Sequence, residues 1–466
     1  MVLSAMCIAA LAACATGLTP RDPQIQWPAH YAAAQRKDLP PASLDRWWTL
    51  FDDAQLEALV ERVLSQGLDA RLALARLSEA QAVRAQSLSR YAPQGALQSS
   101  VEASQAENLN AGPNPDMSRN ASVSLPVTWE LDFFGRRAVT RTAADSDLAA
   151  ARFDYEATRT ALAAQVAQTL FQARGLAAQW EESRANAKIQ ADLLGLIDRR
   201  VERGLTAASQ ADRVAGDVSQ ANARALALAS ELDATRRSLL VLMGDGLAPI
   251  TSIAIEAELA EAPAVPTTVP GDLMIRRPDI REAQARIRSA AGNLRLAELD
   301  FFPRLTLQPS IGLSSQRGPL DASTGFWSLG LGLSVPVLDR PRLQAALDLQ
   351  SARGQQLVIA FEQLVQSAFA EVDQALTRLQ ADRRRVQILI EGERRANRAH
   401  EAALTRFRLG LGDLQEVLDA ELAWRATRNA LTSARLDALK HSVQAFKALG
   451  GGWPSDSLPA SAMANP

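Results

Sequence analysis

The 466-residue chain has a net charge of −2 and an aromatic content of 5%. This nearly neutral balance gives no electrostatic reason to expect a nucleic-acid partner, and the abundance of Ala, Leu, Gln, Arg and Glu favours long helices over compact mixed domains. Both cysteines lie in the first fourteen residues and the three histidines are far apart in sequence, so we expect neither a disulfide framework nor a metal site.

The N-terminus has the pattern of a bacterial export signal that ends at a lipid-attachment site. A short apolar stretch, Ile8 to Ala13, precedes Cys14, and Leu11-Ala-Ala-Cys14 resembles the bacterial lipoprotein box, although Met1 to Cys7 carry no Lys or Arg. We therefore expect residues 1–13 to be removed as a signal peptide, Cys14 to carry a covalent lipid, and residues 14–53 to form an extended lipidated segment. Ala15 stands where an Asp would retain an enterobacterial lipoprotein in the inner membrane, which favours the outer membrane.

Sequence landmarks indicate that the body of the chain contains one module used twice. Matching pairs recur at a spacing of 210 positions and then of 206: Asp69–Leu77 with Asp279–Ile287, Pro93 with Pro303, Pro126 with Pro336, Gly204 with Gly410, and Gly244 with Gly450. The change of four residues corresponds to about one helical turn, which predicts a long helix between residues 127 and 204. We assign residues 54–248 to the first repeat, 249–270 to a linker, 271–453 to the second repeat and 454–466 to a flexible C-terminal tail.

Each repeat is predicted to contain a helix, two strands, a long helix and a partner helix. In the first repeat these are a helix over about 54–90, strands at about 95–105 and 121–131, a long helix from Arg136 to Arg203, and a partner helix from about Ser209 to Met243. The turn-forming segment Asn108–Pro115 separates the strands. Apolar residues at three- and four-residue steps along the helices suit antiparallel coiled-coil hairpins, with Gly204 and Gly410 at the hairpin turns.

The predicted strands alternate apolar residues with small or polar ones. In the second repeat the apolar members are Leu305, Leu307, Ile311, Leu313, Trp327, Leu329, Leu331, Leu333 and Val335. This pattern is typical of a transmembrane strand and equally of a half-buried strand in a soluble protein. The sequence beyond the N-terminus lacks the run of ~18 apolar residues that a membrane-spanning helix requires, so a membrane span would have to be a β-barrel. Because four strands cannot close such a barrel, identical copies would share one, with eight strands in a dimer or twelve in a trimer.

Three stretches carry a resemblance to a known family. They are Trp129-Glu-Leu-Asp-Phe-Phe-Gly-Arg136, then Arg276-Arg277-Pro278-Asp279-Ile280 with the later Phe302-Pro303, and finally Leu449-Gly-Gly-Gly-Trp453. Over about residues 44 to 453 the chain resembles the TolC-like outer-membrane efflux proteins, and within them the NodT-type lipoproteins. Gln284 departs from the Glu that the family often has after its Arg-Pro-Asp motif.

The resemblance implies a fold class, a function and partners. The fold is a mixed α and β membrane protein in which a homotrimer shares a twelve-stranded β-barrel and a twelve-helix α-barrel of long coiled-coil hairpins. The function is the outer-membrane channel of a tripartite efflux pump, a passive conduit for drugs, toxic compounds or metal ions. The channel would be lipid-anchored in the outer membrane, with its tunnel extending into the periplasm. Its partners would be outer-membrane lipid, a periplasmic adaptor and an inner-membrane pump of the RND type.

The resemblance also places an aperture near the helix turns, where the family has a ring of carboxylates. The matching residue after Gly410 is Asp419, with Glu416 about one helical turn away and Asp212 at a comparable place after Gly204. Gln415 stands where one family gate has an apolar residue, which argues against an apolar plug at that level. A ring of carboxylates would attract cations; the alternative is that these are solvated acidic residues on a helix exterior.

The sequence contains no Walker loop, HExxH motif or Ser-His-Asp set, so we expect neither an enzyme nor a cofactor beyond the lipid on Cys14. Two alternatives to a channel remain. A non-conducting structural or adhesive coiled-coil lipoprotein would not need the paired strands, and an envelope-tethered enzyme would need an acid–base or metal cluster that the sequence lacks.

Overall fold

The computed structural model describes residues 44–106, 116–266, 270–317 and 322–454, together with the single residues 23, 25, 28 and 31. Cys14, the predicted turn segment Asn108–Pro115 and all but the first residue of the predicted tail lie outside the described residues. In chain order the elements are α1 (Ala54–Gln66), α2 (Leu68–Ser89), β1 (Gln94–Gly95), β2 (Gln98–Ala106), β3 (Asp116–Leu131), α3 (Arg136–Glu202), α4 (Ala208–Leu242), α5 (Leu273–Arg276), α6 (Pro278–Leu299), β4 (Arg304–Arg317), β5 (Ala322–Ser334), α7 (Arg340–Arg408) and α8 (Leu414–Ala448).

The predicted long helices and their partners are confirmed to within about a residue in the first repeat. α3 contains 67 residues and α7 contains 69, while α4 and α8 contain 35 each. The long helix predicted between residues 127 and 204 is confirmed as α3. The change in repeat spacing lies before this helix, since β1 and β4 begin 210 positions apart, at Gln94 and Arg304, whereas α3 and α7 begin 204 positions apart, at Arg136 and Arg340. None of the described helices is both long enough and apolar enough to cross a membrane.

The predicted helix over residues 54–90 is two helices, because the chain turns at Gly67. Gly67 has φ −57° and ψ 140°, which is not helical. A Cβ at this position would lie 2.5 Å from the carbonyl oxygen of Val63 and 3.1 Å from that of Leu242. Glycine therefore allows the chain to pass close to two helix ends at once, which a helical periodicity cannot reveal.

The chain forms two compact units, which we call the sheet unit and the helical unit. The sheet unit contains Leu77–Arg152 and Glu282–Glu362, and the helical unit contains Ile25–Arg76, Phe153–Arg281 and Gln363–Pro466. Each unit therefore draws on both predicted repeats.

The strands of the sheet unit form one antiparallel sheet in the order β1-β3-β4-β5, and β2 also pairs with β3. β1 and β2 follow a single register along β3, with Gln94 opposite Thr128 and Gln98 opposite Ser124. They are therefore one strand interrupted at residues 96 and 97, so the described strands occupy four positions. β3 begins at Asp116, earlier than the predicted start near residue 121.

The two faces of the sheet differ sharply in polarity. Residues directly opposite each other on antiparallel strands point to the same face, and the pairing aligns apolar rows across three strands: Leu125, Ile311 and Trp327; Trp129, Leu307 and Leu331; Leu131, Leu305 and Leu333. Within a single chain this apolar face is open, since Ile311 is 62% exposed and Trp327 is 79% exposed. The other face carries mainly Ser, Thr, Gly and Gln, with Phe326 opposite Gly312 as an apolar exception. It includes a hydrogen bond of 2.8 Å between the hydroxyls of Ser100 and Ser122.

The helical unit has an aromatic core around its N-terminal segment. Trp47 is fully buried and stacks on Phe446 at 5.6 Å between ring centroids, and Phe51 contacts Phe171 at 5.1 Å. Because aromatic side chains bury large apolar areas, these contacts attach the segment Trp47–Phe51 firmly to α3 and α8.

Candidate functional site

Both hairpin turns end their long helices in the same way. Gly204 has φ +68° and Gly410 has φ +74°. The amide of Leu205 donates to the carbonyl of Arg200 at 2.9 Å, and the amide of Leu411 donates to that of Arg406 at 2.8 Å. This is the Schellman arrangement, in which a left-handed glycine lets the chain satisfy the last helical carbonyls. The turns thereby fix where α4 and α8 begin.

An apolar cluster behind the turns joins four helices. Its buried members are Leu193 and Ile197 from α3, Val214 from α4, Ala403 and Phe407 from α7, and Leu414, Val417 and Leu418 from α8. The guanidinium of Arg200 lies over the ring of Phe407 at 4.8 Å. The first turns of α4 and α8 are therefore held on a common core, which positions their exposed residues.

The predicted aperture residue Asp419 lies exposed in the second turn of α8 and is linked to α4 through Gln415. The side-chain amide of Gln415 donates to Asp419 Oδ1 at 2.8 Å, and Arg213 Nη1 donates to Gln415 Oε1 at 2.8 Å. Gln415 thus connects the two hairpins. The family resemblance had indicated only that no apolar plug is present at this level. Arg213 was missed at the sequence level, because no local pattern relates residues 202 positions apart.

Glu416 has a different environment from Asp419. Its carboxylate forms an ion pair with Arg406 Nη1 at 2.6 Å, and its backbone amide donates to Asp413 Oδ1 at 2.7 Å. This exposed ion pair offsets part of the charge of Glu416 only. Asp413-x-x-Glu416 is a capping-box spacing, so this helix start was readable from the sequence. Asp212 is exposed near the start of α4, beside Arg213.

The family motif Arg276–Asp279 lies in the core of the helical unit and away from these turns. Arg277 is buried, donates to both carboxylate oxygens of Asp279 at 3.1 and 2.6 Å, and reaches Glu371 Oε2 at 2.8 Å. Burial alone would lower the pKa of Arg277, but its bonds to Asp279 and Glu371 outweigh burial and raise it. Pro278 is the first residue of α6, a position where the missing N–H has no cost. The motif is therefore structural.

The C-terminal glycines complete this structural site. Trp453 Nε1 donates to the carbonyl of Arg276 at 2.8 Å. Gly450 has φ +74°, and a Cβ there would lie 2.5 Å from the same carbonyl oxygen. The closing Gly-rich segment thus packs directly on the motif.

The Trp129–Arg136 segment forms the joint between β3 and α3 in the sheet unit. Asp132 caps α3, since its carboxylate accepts from the amides of Arg136 at 2.7 Å and Arg137 at 2.9 Å. The Arg136 side chain is buried and donates to Asp300 Oδ1 at 2.6 Å.

The described residues contain no group of three or more His, Cys, Asp and Glu residues that could hold a metal ion.

The architecture matches that of solved outer-membrane channels. The structure of the outer-membrane channel OprN superposes with a TM-score of 0.79 at 26% identity and covers 93% of this chain and 100% of that chain. Outer membrane protein OprJ of Pseudomonas aeruginosa is 30% identical over 91% of this chain and 89% of its own length. The pyoverdine export outer membrane protein OpmQ of Pseudomonas putida is 28% identical over 96% of both chains. The fold and these relatives define a channel protein of the outer membrane.

A family model described as "Outer membrane efflux protein" matches residues 59–245 and 269–451. The chain belongs to this family of TolC-like channels. It is the outer-membrane component of a tripartite efflux pump, which works with an adaptor and an inner-membrane pump, and it is not an enzyme.

Proposed function

We propose that three copies of the chain form one conduit, with a shared twelve-stranded barrel and a tunnel of twelve long helices. The observation that carries this proposal is the open sheet: four strand positions, an exposed apolar face, and two edges without a partner among the described residues. Unpaired edges are a template for pairing with another chain, and barrels remove them by closure. The internal two-fold repeat, with its two hairpins per chain, supplies four of the twelve helices.

The strand directions are compatible with closure by identical copies. The strands alternate in direction from β2 to β5, so β5 of one copy would be antiparallel to β2 of the next. With the apolar face outward, exposed residues such as Ile311 and Trp327 would contact lipid, and the Ser- and Gly-rich face would line water. Burial of these side chains away from water is worth ~25 cal/mol per Å², which would favour membrane insertion of the assembled sheet.

We place the gate at the turns, with Asp419 as its main carboxylate. Three copies of Asp419 around a narrow axis would attract cations. The chain of contacts from Arg213 through Gln415 to Asp419 links the two hairpins of each copy, so their separation would have to break it. Glu416 and Asp212 would contribute less, because Glu416 is paired with Arg406 and Asp212 adjoins Arg213.

The same turns are proposed as the contact for the adaptor. Leu205, Leu409 and Leu411 are 64%, 69% and 69% exposed in the two turns. Apolar side chains exposed together beside charged ones commonly mark protein-interaction sites. The adaptor would connect the channel to an inner-membrane pump of the RND type, and that pump would select the exported drugs, toxic compounds or metal ions.

The N-terminal anchor is a further part of the proposal. Residues 1–13 would be removed and Cys14 would carry several acyl chains, which together hold a protein durably in a bilayer. Intact-mass measurement of membrane-extracted protein tests this: the mature chain should begin at Cys14 and carry acyl mass that Cys14→Ser lacks.

Conductance in planar bilayers tests the channel and its gate together. Purified protein should form cation-preferring channels, and Asp419→Ala should lower the ratio of cation to anion permeability. Glu416→Gln, one helical turn away, is the matched control and should change this ratio less. Unchanged conductance and cation preference in Asp419→Ala would remove Asp419 from the gate, and complete absence of channels in the wild type would contradict the proposed function.

A further inference from the structure

Two arginines face each other on the apolar side of the sheet, at the end where β2 leads into β3. Arg119 on β3 is directly opposite Arg317 on β4, on the same face as the Val123–Leu313 pair. Both side chains are exposed. Like charges directly opposite each other on neighbouring strands destabilise a sheet. Neither guanidinium forms a hydrogen bond or an ion pair with another side chain in the described part of the chain.

The pair stands just beyond the apolar rows of this face. Along β4 the apolar rows begin at Leu305 near the helix joint, and Arg317 ends the strand. Twelve residues of strand at ~3.3 Å each, tilted by about 40°, give a height of roughly 30 Å. The lipid-facing apolar band of a membrane barrel is about 25 Å tall. Two cations a few ångströms past that band would lie at the level of lipid headgroups.

We propose that Arg119 and Arg317 together bind a phosphate group of a phosphorylated glycolipid in the outer leaflet of the outer membrane. This inference rests on the proposed barrel, and the leaflet follows because the opposite end of the sheet is joined to α2, α3, α6 and α7, which the proposed function places in the periplasm. A planar guanidinium presents paired donors that match phosphate oxygens. A bound phosphate would also remove the repulsion between the two guanidinium groups, so protein and lipid would stabilise each other.

Lipid titration of the full-length protein in neutral detergent provides the test. Diphosphoryl lipid A should raise the melting temperature of the wild-type assembly, and the double variant Arg119→Gln/Arg317→Gln should bind it about thirtyfold more weakly. Dephosphorylated lipid A should have little effect, and phosphatidylglycerol should bind more weakly than diphosphoryl lipid A. Arg304→Gln is the matched control, since Arg304 lies on the same strand but on the polar face and at the helix end.

A charge reversal separates lipid binding from sheet stability. Arg317→Glu turns the like-charged pair into an opposite pair, so the lipid-free assembly should melt at the same or a higher temperature while lipid A binding is lost. Unchanged lipid A affinity in the double variant would show that carboxylates of the neighbouring loops neutralise the pair, and equal binding of phosphatidylglycerol would show a general anionic surface; either overturns the inference. A monomeric protein in detergent would instead contradict the barrel on which it rests.

Discussion

Gly450 and Gly204 both have a left-handed backbone, but replacing them by alanine should destabilise the protein by different amounts. Both have positive φ, but a Cβ at Gly450 would meet the Arg276 carbonyl oxygen at 2.5 Å, whereas nothing lies within 4 Å of a Cβ at Gly204. Gly204→Ala should therefore lower the free energy of unfolding by about 1 kcal/mol, for the left-handed backbone alone, and Gly450→Ala by about 3 kcal/mol or more. Denaturant unfolding followed by tryptophan fluorescence measures both. Equal losses would show that the Gly-rich segment is not packed on the motif.

The burial of His400 predicts how the stability of the helical unit changes with pH. His400 is 4% exposed and stacks on Trp424 at 5.2 Å. Burial lowers the pKa of His400, opposed by Glu401 and reinforced by Arg425 and Arg408. The unfolded chain therefore takes up this proton more readily, and the folded helical unit should lose stability as the pH falls below ~6.5.

The variant His400→Phe isolates that effect, because it keeps the ring contact and removes the titration. Burial raises the pKa of the neighbouring Glu421, so Glu421 favours the folded state as the pH falls, opposite to His400. For this reason the pH dependence of the variant has to be compared with that of the wild type. Between about pH 7.5 and about pH 5 the melting temperature should fall less in the variant than in the wild type. The same fall in both proteins would show that the pKa of His400 does not differ between the folded and the unfolded chain.

At the level of single residues, the sequence revealed local contacts and missed distant ones. The glycines at both turns were predicted from their spacing. The cap formed by Asp413 also depends on neighbours in the chain, and its spacing to Glu416 is readable although it was not predicted. The bond from Arg213 to Gln415 joins two hairpins, and burial of Arg277 between Asp279 and Glu371 joins residues far apart in sequence. Such pairs depend on tertiary packing, which a one-dimensional pattern does not contain.

At the level of elements, the apolar face of the sheet predicts a strong asymmetry between adjacent residues. Leu329 is 65% exposed on the apolar face, opposite Pro309, and Ser328 lies on the polar face, opposite Ser310. If the apolar face contacts lipid, Leu329→Arg should destabilise the folded protein in vesicles by about 2–4 kcal/mol, whereas Ser328→Arg should have little effect. Urea unfolding in phospholipid vesicles measures the two variants side by side. Similar losses in both would contradict a lipid-facing surface.

The elements also show why some boundaries were predictable. α3 could be predicted almost to the residue, because a proline-free run with continuous helical periodicity leaves little choice. The break at Gly67 was missed, because a single glycine is tolerated within helices and its role lies in its contact with the end of α4. The choice between a lipid-facing strand and a soluble one was open, because both have the same two-residue period. The cross-strand apolar rows and their exposure in a single chain favour the lipid-facing alternative, which remains part of the proposed function.

At the scale of the whole molecule, the described sheet is too small to enclose a pore. Its four strand positions end in two open edges, and about eight strands are the minimum for a membrane barrel. In the proposed assembly, the pore wall, the carboxylate ring and the lipid-facing surface would all require identical copies.

Native mass spectrometry of the full chain in detergent, combined with circular dichroism, tests this assembly most directly. We expect a species of about three times the chain mass of 50.1 kDa, apart from processing and acylation, whose strand signal is lost when the assembly dissociates. A monomer that keeps its full strand content would contradict this assembly.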